Sequence, residues 1–288
     1  MGNLVRFDWA MKKLLRSKAN FSVLAGFISE VLGEPVAILE ILESESNQEH
    51  EEDKFNRVDL LIRDSTGALV IIEVQTTTEP DYLLRMLYAT AKVITEHMTL
   101  GDEYSQVKKV ISINIVYFDL GQGDDYVYRG QTCFHGLHTG HELVLSDKQR
   151  SFYQRESIAR LYPEYYIIKV NQFDDVAKNT LDEWIYFLKH EEIKDSFTAQ
   201  GLAEARQLFN LMRMNREQRA EYEGYLEALR TKSSLIKGNY RYGYIEGEIA
   251  GKEEGRREGL EEGLHLALQR LIASGIPESE ARSMLGLS

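Results

Sequence analysis

Positions 57–75 of this 288-residue chain read RVDLLIR, DSTG and ALVIIEVQ in succession. The first and last of these runs are short and rich in Val, Ile and Leu between polar residues, which is typical of β-strands. A three-residue loop with a glycine in the left-handed conformation suits the link between them. The sequence therefore predicts an antiparallel hairpin in which Arg63 lies opposite Leu69 and Asp59 lies opposite Glu73.

Two acidic side chains and an amide interrupt these apolar strands. Because side chains alternate along a strand, Glu73 and Gln75 share one face of the sheet, and Asp59 joins them from the neighbouring strand. Two carboxylates so close in apolar surroundings repel each other and lose hydration unless a cation or a proton intervenes. A divalent metal is the simplest remedy. The alternative is a structural ion pair with Arg57 or Arg63.

The composition, 43% hydrophobic and 28% charged residues, is that of a soluble globular protein. No apolar run approaches the roughly 20 residues that cross a bilayer, and the single Cys133 excludes an internal disulfide. We therefore expect a cytoplasmic protein without a membrane partner.

The net charge of -12 argues against a protein that coats nucleic acid electrostatically. It does not exclude an enzyme that meets DNA through a local basic patch. Such a patch near the start of the chain is formed by Arg6, Lys12, Lys13, Arg16 and Lys18, and the alternative interpretation is the solvated face of a first helix.

Hydrophobic periodicity predicts an α/β arrangement in which a mixed sheet lies between helices. Within the helix predicted at 81–98, the candidates for the core-facing side are Leu84, Leu87, Ala91 and Ile94. The predicted helices are 7–15, 21–32, 81–98 and 181–190, and the predicted strands outside the hairpin are 36–42, 109–118, 126–134, 142–145 and 165–170.

From Ala199 onward the chain is almost purely helical in propensity, and a glycine recurs every fourth residue from Gly243 to Gly263. Each glycine costs a helix about 1 kcal/mol relative to alanine, so this tract is expected to be a poor isolated helix. One interpretation is a glycine stripe that lets another helix approach closely. We favour a flexible, charged helical linker or an arm for homo-oligomerisation.

The hairpin pattern, Arg57-x-Asp59 followed by Glu73-x-Gln75, resembles that of the recombination-promoting nuclease family of transposase-related proteins, within the PD-(D/E)xK nuclease superfamily. The segment 85–89, RMLYA, is similar to the helix that follows the motif in that family, and 181–189, LDEWIYFLK, to its distal Trp-containing helix. The charged glycine tract is also typical of the family. The resemblance covers roughly residues 7–263.

The resemblance implies a restriction-endonuclease-like core with a mixed central sheet flanked by helices, plus a helical C-terminal extension. We accordingly expect a nuclease-like domain over 1–195 and a charged helical extension over 196–288. The implied activity is Mg²⁺-dependent endonuclease cleavage of DNA, with Mn²⁺ as the alternative metal. The implied setting is the bacterial cytoplasm, at the nucleoid when the protein is bound to DNA.

Carried over by position, Asp59 and Glu73 match the acidic residues of the motif, and with the Val74 carbonyl they are the expected metal ligands. Gln75 occupies the place where the superfamily usually has lysine. Lysine stabilises developing negative charge and orients the attacking water, whereas glutamine donates and accepts hydrogen bonds without a charge. We expect Gln75 to orient water and charge stabilisation to be weaker.

Lys54, Arg57 or Arg85 would compensate for the missing lysine and contact DNA. A bidentate contact to a phosphate is the hypothesis for Arg85, and a salt bridge with Asp81 is the alternative. Glu30 lies on the helix before the first strand, where an additional metal-binding acid is common in the superfamily; a solvent-facing helical glutamate is the alternative.

Two other functions compete with cleavage. A nuclease fold whose chemistry has weakened would leave a DNA-binding or protein-assembly module, and the glutamine at position 75 and the acidic net charge keep this alternative open. A protein whose function lies in the helical C-terminal third would be an interaction protein.

Overall fold

A mixed six-stranded sheet forms the centre of the protein. The structure is a computed structural model, and it describes residues 4–13, 15–42, 59–99 and 101–287, without the side chains of Lys12 and Met212. The strand order is β1-β2-β3-β4-β6-β5. The pairs β3–β4 and β4–β6 are parallel and the others antiparallel, so the predicted mixed sheet is confirmed. The strands are β1 Ile38–Leu42, β2 Leu60–Asp64, β3 Leu69–Gln75, β4 Val110–Val116, β5 Val127–Gly130 and β6 Glu164–Lys169.

The helices surround this sheet and then continue into a long C-terminal segment. They are α1 Phe7–Lys13, α2 Phe21–Leu32, α3 Tyr82–Glu96, α4 Asp147–Tyr153, α5 Thr180–His190, α6 Leu202–Leu208, α7 Arg216–Ala273 and α8 Glu278–Met284. The helices predicted at 7–15, 21–32, 81–98 and 181–190 are therefore confirmed to within a few residues. Among the described residues, no helix combines the length and the apolar character that crossing a membrane requires.

The strand predicted at 142–145 is wrong. Residues His135 and Glu142 form only an isolated antiparallel bridge. Leu143 and Val144 are exposed rather than packed under a sheet. A short apolar run predicts a strand here although none forms, because the local pattern does not report whether a partner strand is present.

The β2–β3 hairpin has the predicted register. Arg63 pairs with Leu69, which places Ser65–Gly67 in the loop, and Gly67 has a positive φ of 83°. The Asp64 carboxylate accepts main-chain N–H groups within the loop at 2.8 and 2.9 Å, which fixes its conformation. Asp59 comes directly before the first residue of β2, so it stands at the open end of the hairpin.

Helix α3 covers one face of the sheet. Leu69 and Ile71 of β3 pack in one cluster with Ala89 and Val93 of α3. Because side chains alternate along β3, Glu73 and Gln75 continue this same face beyond the apolar contacts. On this face of β3, the apolar residues Leu69 and Ile71 are therefore followed by the polar residues Glu73 and Gln75.

The core-facing side predicted for α3 is correct only for Ile94, which packs against the buried cluster, and is wrong for Leu84, Leu87 and Ala91, which are exposed. Leu84 and Leu87 are 67% and 58% exposed, and the buried residues of the helix are Tyr82, Met86, Ala89, Thr90 and Val93. The helix is rotated relative to the expectation because the small residues Ala89 and Thr90 allow it to approach the sheet. The larger leucines remain on the outer side.

The other face of the sheet packs on α5. Tyr117 directly follows β4, one residue out of phase with the α3-facing Val116, and its hydroxyl donates to the Leu188 carbonyl at 2.8 Å. Around Trp184 of α5 lies an aromatic cluster that comprises Phe7, Phe27, Trp184, Phe187 and Phe209. This cluster joins α1, α2, α5 and the residue after α6.

The chain divides into two compact units between Glu223 and Gly224, inside α7. Residues beyond position 195 still belong to the first unit: Leu202 and Ala205 of α6 are buried, and the Phe209 carbonyl accepts the Val5 N–H at 2.9 Å. The second unit consists of the rest of α7 and α8. The domain boundary after residue 195 stays a prediction about independent folding.

Candidate active site

Asp59 is held against β3 by its own side chain. Its Oδ2 accepts the Val74 N–H at 2.9 Å, and its main-chain carbonyl accepts from Arg16 Nη2 at 3.2 Å. Asp59 lies just before β2 begins. There its carboxylate accepts the Val74 N–H in place of a main-chain carbonyl of the neighbouring strand. The predicted proximity of the two acidic residues follows from this contact and from the hairpin register.

Glu73 lies near the end of β3, buried, with Asn114 of β4 as its pairing partner in the sheet. Its Oε2 is 4.0 Å from Arg85 Nη2. An acidic side chain buried this far is retained only where something compensates its charge. In the described site that compensation comes at least partly from the Arg85 guanidinium.

Gln75, Glu79 and Arg85 form a hydrogen-bonded network beside the two motif acids. Gln75 Nε2 donates to Glu79 Oε2 at 3.1 Å and to the Thr77 carbonyl at 3.1 Å. Arg85 Nη1 donates to the same Glu79 oxygen at 2.7 Å. The nitrogen also contacts the Thr77 hydroxyl at 3.3 Å, but the carboxylate and the main-chain carbonyl are pure acceptors, so these two fix the orientation of the amide. The Gln75 carbonyl oxygen is then the end of the side chain that is left to receive a hydrogen bond.

Tyr82 lies at the start of α3 within this acidic environment. Burial raises the pKa of its phenol, and the nearby carboxylates of Glu73 and Asp59 raise it further, while Arg85 acts in the opposite direction. The hydroxyl donates to Asn114 Oδ1 at 3.2 Å. Tyr82 therefore remains a neutral donor that joins α3 to the strand carrying Asn114.

The charge on Arg85 is stabilised by the site. Burial opposes the charged guanidinium, but the Glu73 and Glu79 carboxylates outweigh burial, and the net pKa of Arg85 is raised. The salt bridge with Asp81 that the sequence left open as an alternative is replaced by contacts to Glu79 and Glu73. The alternative ion pair of Arg63 is likewise formed elsewhere, with Glu40 at 2.6 Å.

The Val74 carbonyl faces the same side as Asp59. Along a strand, the N–H and C=O of one residue lie on the same edge, and the Val74 N–H bonds to Asp59. The main-chain carbonyl of Gln75, by contrast, points to the other edge of β3, where it accepts the N–H of Tyr117, the residue after β4. Asp59, Glu73 and the Val74 carbonyl thus provide oxygen atoms around one end of the hairpin.

These oxygen donors suit a hard cation. Among the described residues, no three His, Cys, Asp or Glu side chains converge as a metal site. Mg²⁺ does not need such a set, because it keeps several waters and is usually held by one or two carboxylates together with substrate phosphates. The donor set of Asp59 and Glu73 therefore fits Mg²⁺ better than it fits a metal that requires an all-protein cage.

Glu30 is engaged away from the motif acids. Its two carboxylate oxygens accept from the Thr180 hydroxyl at the start of α5 and from the Gln200 N–H at 3.2 Å. These contacts fasten α2 to α5 and to the turn before α6. The assignment of Glu30 to a metal remains a prediction, and we leave Glu30 out of the ligand set proposed below.

The basic residues predicted to contact DNA are placed unequally. Lys13 lies 3.3 Å from Glu221 in an exposed ion pair. Lys54 and Arg57 lie outside the described residues, as does the side chain of Lys12. Arg16 of the same basic patch reaches Asp59 through the main-chain contact above, so this part of the chain does approach the site.

Sequence reasoning missed Glu79, Tyr82 and Asn114. Asn114 lies in the middle of an apolar strand, which is itself a signal because a buried amide needs partners; its Nδ2 donates to Ser112 Oγ at 2.9 Å. Glu79 lies in a polar loop before Pro80, where an acidic residue carries no distinctive pattern.

The family model for "PD-(D/E)XK nuclease family transposase" matches residues 5–239. This range contains the hairpin, α3, the whole sheet and the aromatic cluster around α5. We found no significant match to a curated protein or to a solved structure.

Proposed function

Because the chain belongs to the PD-(D/E)XK nuclease family transposases, we propose that it is a Mg²⁺-dependent DNA endonuclease. The substrate is DNA and the reaction is hydrolysis of a phosphodiester bond. In this proposal the protein works in the bacterial cytoplasm at the nucleoid, and α7 provides the surface for homo-oligomerisation.

The observation that carries the proposal is the placement of Asp59 beside Glu73. The Asp59 carboxylate is bonded to the Val74 N–H, and Glu73 and Gln75 lie on the same face of β3. Two carboxylates and an amide at the end of one hairpin, with the Arg85 guanidinium beside them on α3, are the groups needed to position water and a phosphate.

Asp59, Glu73 and the Val74 carbonyl would hold the metal. A bound Mg²⁺ supplies Lewis-acid polarisation of the phosphate and lowers the pKa of a coordinated water. Gln75 accepts a hydrogen bond from the attacking water through its carbonyl oxygen, because its nitrogen is already bonded to Glu79 and Thr77. Water oxygen bonds to phosphorus and gives up one proton to solvent, the bond from phosphorus to the leaving oxygen breaks, and that oxygen takes up a proton from solvent.

Arg85 supplies the positive charge that glutamine lacks. The Arg85 guanidinium is within 4.0 Å of Glu73 and is fixed by Glu79. A guanidinium recognises a phosphate through paired N–H donors. Arg85 would therefore stabilise the negative charge that develops on the phosphate, from the helix rather than from the strand.

Plasmid nicking in Mg²⁺ tests the proposal. We expect the parent chain to convert supercoiled plasmid to the nicked form, and Asp59→Asn and Glu73→Gln each to lower the rate by about 100-fold or more, since each removes a proposed metal ligand. Glu96→Gln is the matched control, because Glu96 lies on the same helix as Arg85 but pairs with Lys92 near the helix end. Cleavage that persists in both site variants would refute the proposal.

A second candidate function is a DNA-binding module with weakened chemistry. The specific observation in its favour is the proximity of Arg85 to Glu73, since a guanidinium there competes with a metal for the carboxylate. The parent would then retain DNA in a mobility-shift assay without nicking it. Calorimetry with Mn²⁺ would show no binding that depends on Asp59.

A further inference from the structure

A cavity of about 490 Å³ lies at the end of the sheet opposite the candidate active site. Its lining includes Lys109, which directly precedes β4, and Pro163, which directly precedes β6. The motif acids stand at the other end of these parallel strands. Glu73 pairs with Asn114, five residues along from Lys109, so at about 3.3 Å per residue the two places are roughly 17 Å apart.

Four aromatic rings lie among the residues that line this cleft. Tyr104 is 93% exposed and Phe152 is 69% exposed, and Tyr153 and Tyr162 are also exposed. Phe152 and Tyr153 meet edge to face with ring centroids 5.1 Å apart. Solvent-facing rings gathered around one cavity are a costly arrangement for a protein that has no ligand there.

The charged part of the lining is basic. Among the described residues that line the cavity, Lys109, Arg155 and Arg160 carry charge and none is acidic. Arg160 pairs with Glu34, and Lys109 pairs with Glu164. Arg155 donates to the Gln154 carbonyl at 2.9 Å, and no carboxylate in the described part of the chain forms a salt bridge with it. Arg155 is thus the cation that an anionic ligand would find available.

The floor of the cleft is already fixed. Lys109 Nζ donates to the carbonyls of Ala159 and Tyr162 at 3.0 and 2.6 Å, which holds the segment that carries Arg160 and Tyr162. Glu164 in turn accepts from Arg129 at 2.6 Å. A ligand would therefore meet the Tyr162 ring on a backbone that is already held in place.

We propose that this cleft binds an unpaired nucleobase by stacking, with Arg155 on the attached phosphate. Aromatic faces next to an arginine are the combination with which proteins hold single-stranded nucleic acid, because every base offers a face and every nucleotide a phosphate. A positive lining in a chain of net charge -12 supports an anionic ligand. The source is a single-stranded segment of substrate DNA or a free nucleotide.

The first of these sources, a single-stranded segment of substrate DNA, depends on the proposed function. Because β4 is buried, a single-stranded flank from the candidate active site would pass outside the elements that cover the sheet, over at least roughly 17 Å, the length of about five stacked nucleotides at 3.4 Å each. The cleft would then retain one strand of a frayed or opened substrate while the other end of the sheet engages the scissile phosphate.

Fluorescence anisotropy with a labelled oligothymidylate of about 12 nucleotides, in EDTA so that no cleavage occurs, tests the inference. We expect Tyr104→Ala/Phe152→Ala to weaken binding about tenfold or more, and Arg155→Gln to weaken it as well. Tyr240→Ala/Tyr242→Ala is the matched control, since both of its tyrosines are exposed on α7. An oligomer of equal length with abasic sites should bind the parent as weakly as oligothymidylate binds the double variant.

Thymidine monophosphate separates the two sources. If thymidine monophosphate displaces the labelled oligothymidylate, the ligand is a free nucleotide. If only unlabelled oligomers displace it, the ligand is a single-stranded segment of DNA. Equal binding of oligothymidylate by the parent and the double variant would overturn the inference. Asp59→Asn/Glu73→Gln should still bind the oligomer at the cleft, so loss of cleavage and loss of stacking are separate results.

Discussion

Glu79 connects the amide and the guanidinium of the candidate site through a single oxygen. Its Oε2 accepts from Gln75 Nε2 and from Arg85 Nη1. The same contact orients the side-chain carbonyl of Gln75. It also holds Arg85 Nη1 on Glu79, so that the guanidinium approaches Glu73 only through Nη2, at 4.0 Å. Glu79 is therefore a positioning residue that acts through its neighbours.

Glu79→Gln tests this role. Loss of the negative charge should let Arg85 turn toward Glu73, so we expect the nicking rate to fall about 10–100-fold and Mn²⁺ affinity to fall with it. Nicking kinetics and calorimetry measure the two effects. Unchanged metal affinity together with an unchanged rate would show that Glu79 does not position these groups.

A buried charge cluster at the start of β6 is predicted to govern acid stability. Glu164 accepts from Tyr166 at 2.7 Å and pairs with Lys109 and Arg129 at 3.2 and 2.6 Å. Burial raises the pKa of Glu164, but the hydrogen bonds and the two cations outweigh burial, and the net pKa is lowered. The stability that Glu164 contributes is therefore present above the ordinary carboxyl pKa and is lost as the pH falls through its folded-state value.

Glu164→Gln removes this titration. We expect the parent to lose more free energy of unfolding than the variant between about pH 6 and about pH 3, and the variant to be less stable by about 3 kcal/mol at neutral pH because the cations lose their partner. Urea denaturation at each pH gives the comparison. Parallel pH profiles for the two proteins would contradict the account.

At the scale of elements, helix α2 approaches the turn before α6 so closely that only glycine fits. A Cβ on Gly26 would stand 2.3 Å from the Gln200 carbonyl oxygen. The same oxygen accepts from Trp184 Nε1 at 3.1 Å, so it cannot move without breaking that bond. Trp184, in the distal segment 181–189, thus helps to hold α5 and α2 together through the Gln200 carbonyl.

Gly26→Ala should lower the free energy of unfolding by about 1–3 kcal/mol, since backbone atoms block the added methyl group. Gly224→Ala is the control, because nothing lies within 4 Å of its added Cβ. Chemical denaturation measures both variants. A Gly26→Ala protein as stable as its control would mean that α2 and the turn can separate at little cost.

Which elements the sequence predicted depended on how much of each element is determined locally. The β2–β3 hairpin was predicted with its register because loop length and alternation fix both. The side of α3 that faces the sheet was predicted only in part, because the positions of Leu84, Leu87 and Ala91 satisfied the helical period equally well and only packing selected Met86 and Ala89. Glu79 and Asn114 were missed for the same reason, since their partners lie on other elements.

At the scale of the whole molecule, α7 runs for 58 residues through the glycine tract. At 1.5 Å per residue, its part within the second unit, residues 224–273, is about 75 Å long. The six glycines between Gly243 and Gly263 have open space where a Cβ would be added. Composition alone indicated helix and predicted that the glycines would weaken it, but it did not indicate what the tract contacts.

Gly247→Ala/Gly251→Ala/Gly255→Ala separates the two interpretations of this tract. If the tract is a linker or an arm that associates through other side chains, each alanine should favour the helix by about 1 kcal/mol and leave the sedimentation coefficient unchanged. Circular dichroism on heating and sedimentation velocity measure the two quantities. Weaker association in the variant would establish the glycines as a helix contact surface.

The most direct test of the account is anomalous diffraction from crystals grown with Mn²⁺. We predict a peak within coordination distance of both the Asp59 and Glu73 carboxylates, and no peak there in Asp59→Asn/Glu73→Gln. A peak elsewhere only, or a Glu73 carboxylate closed by Arg85 with no bound ion, would contradict the claim that these two acids hold the metal.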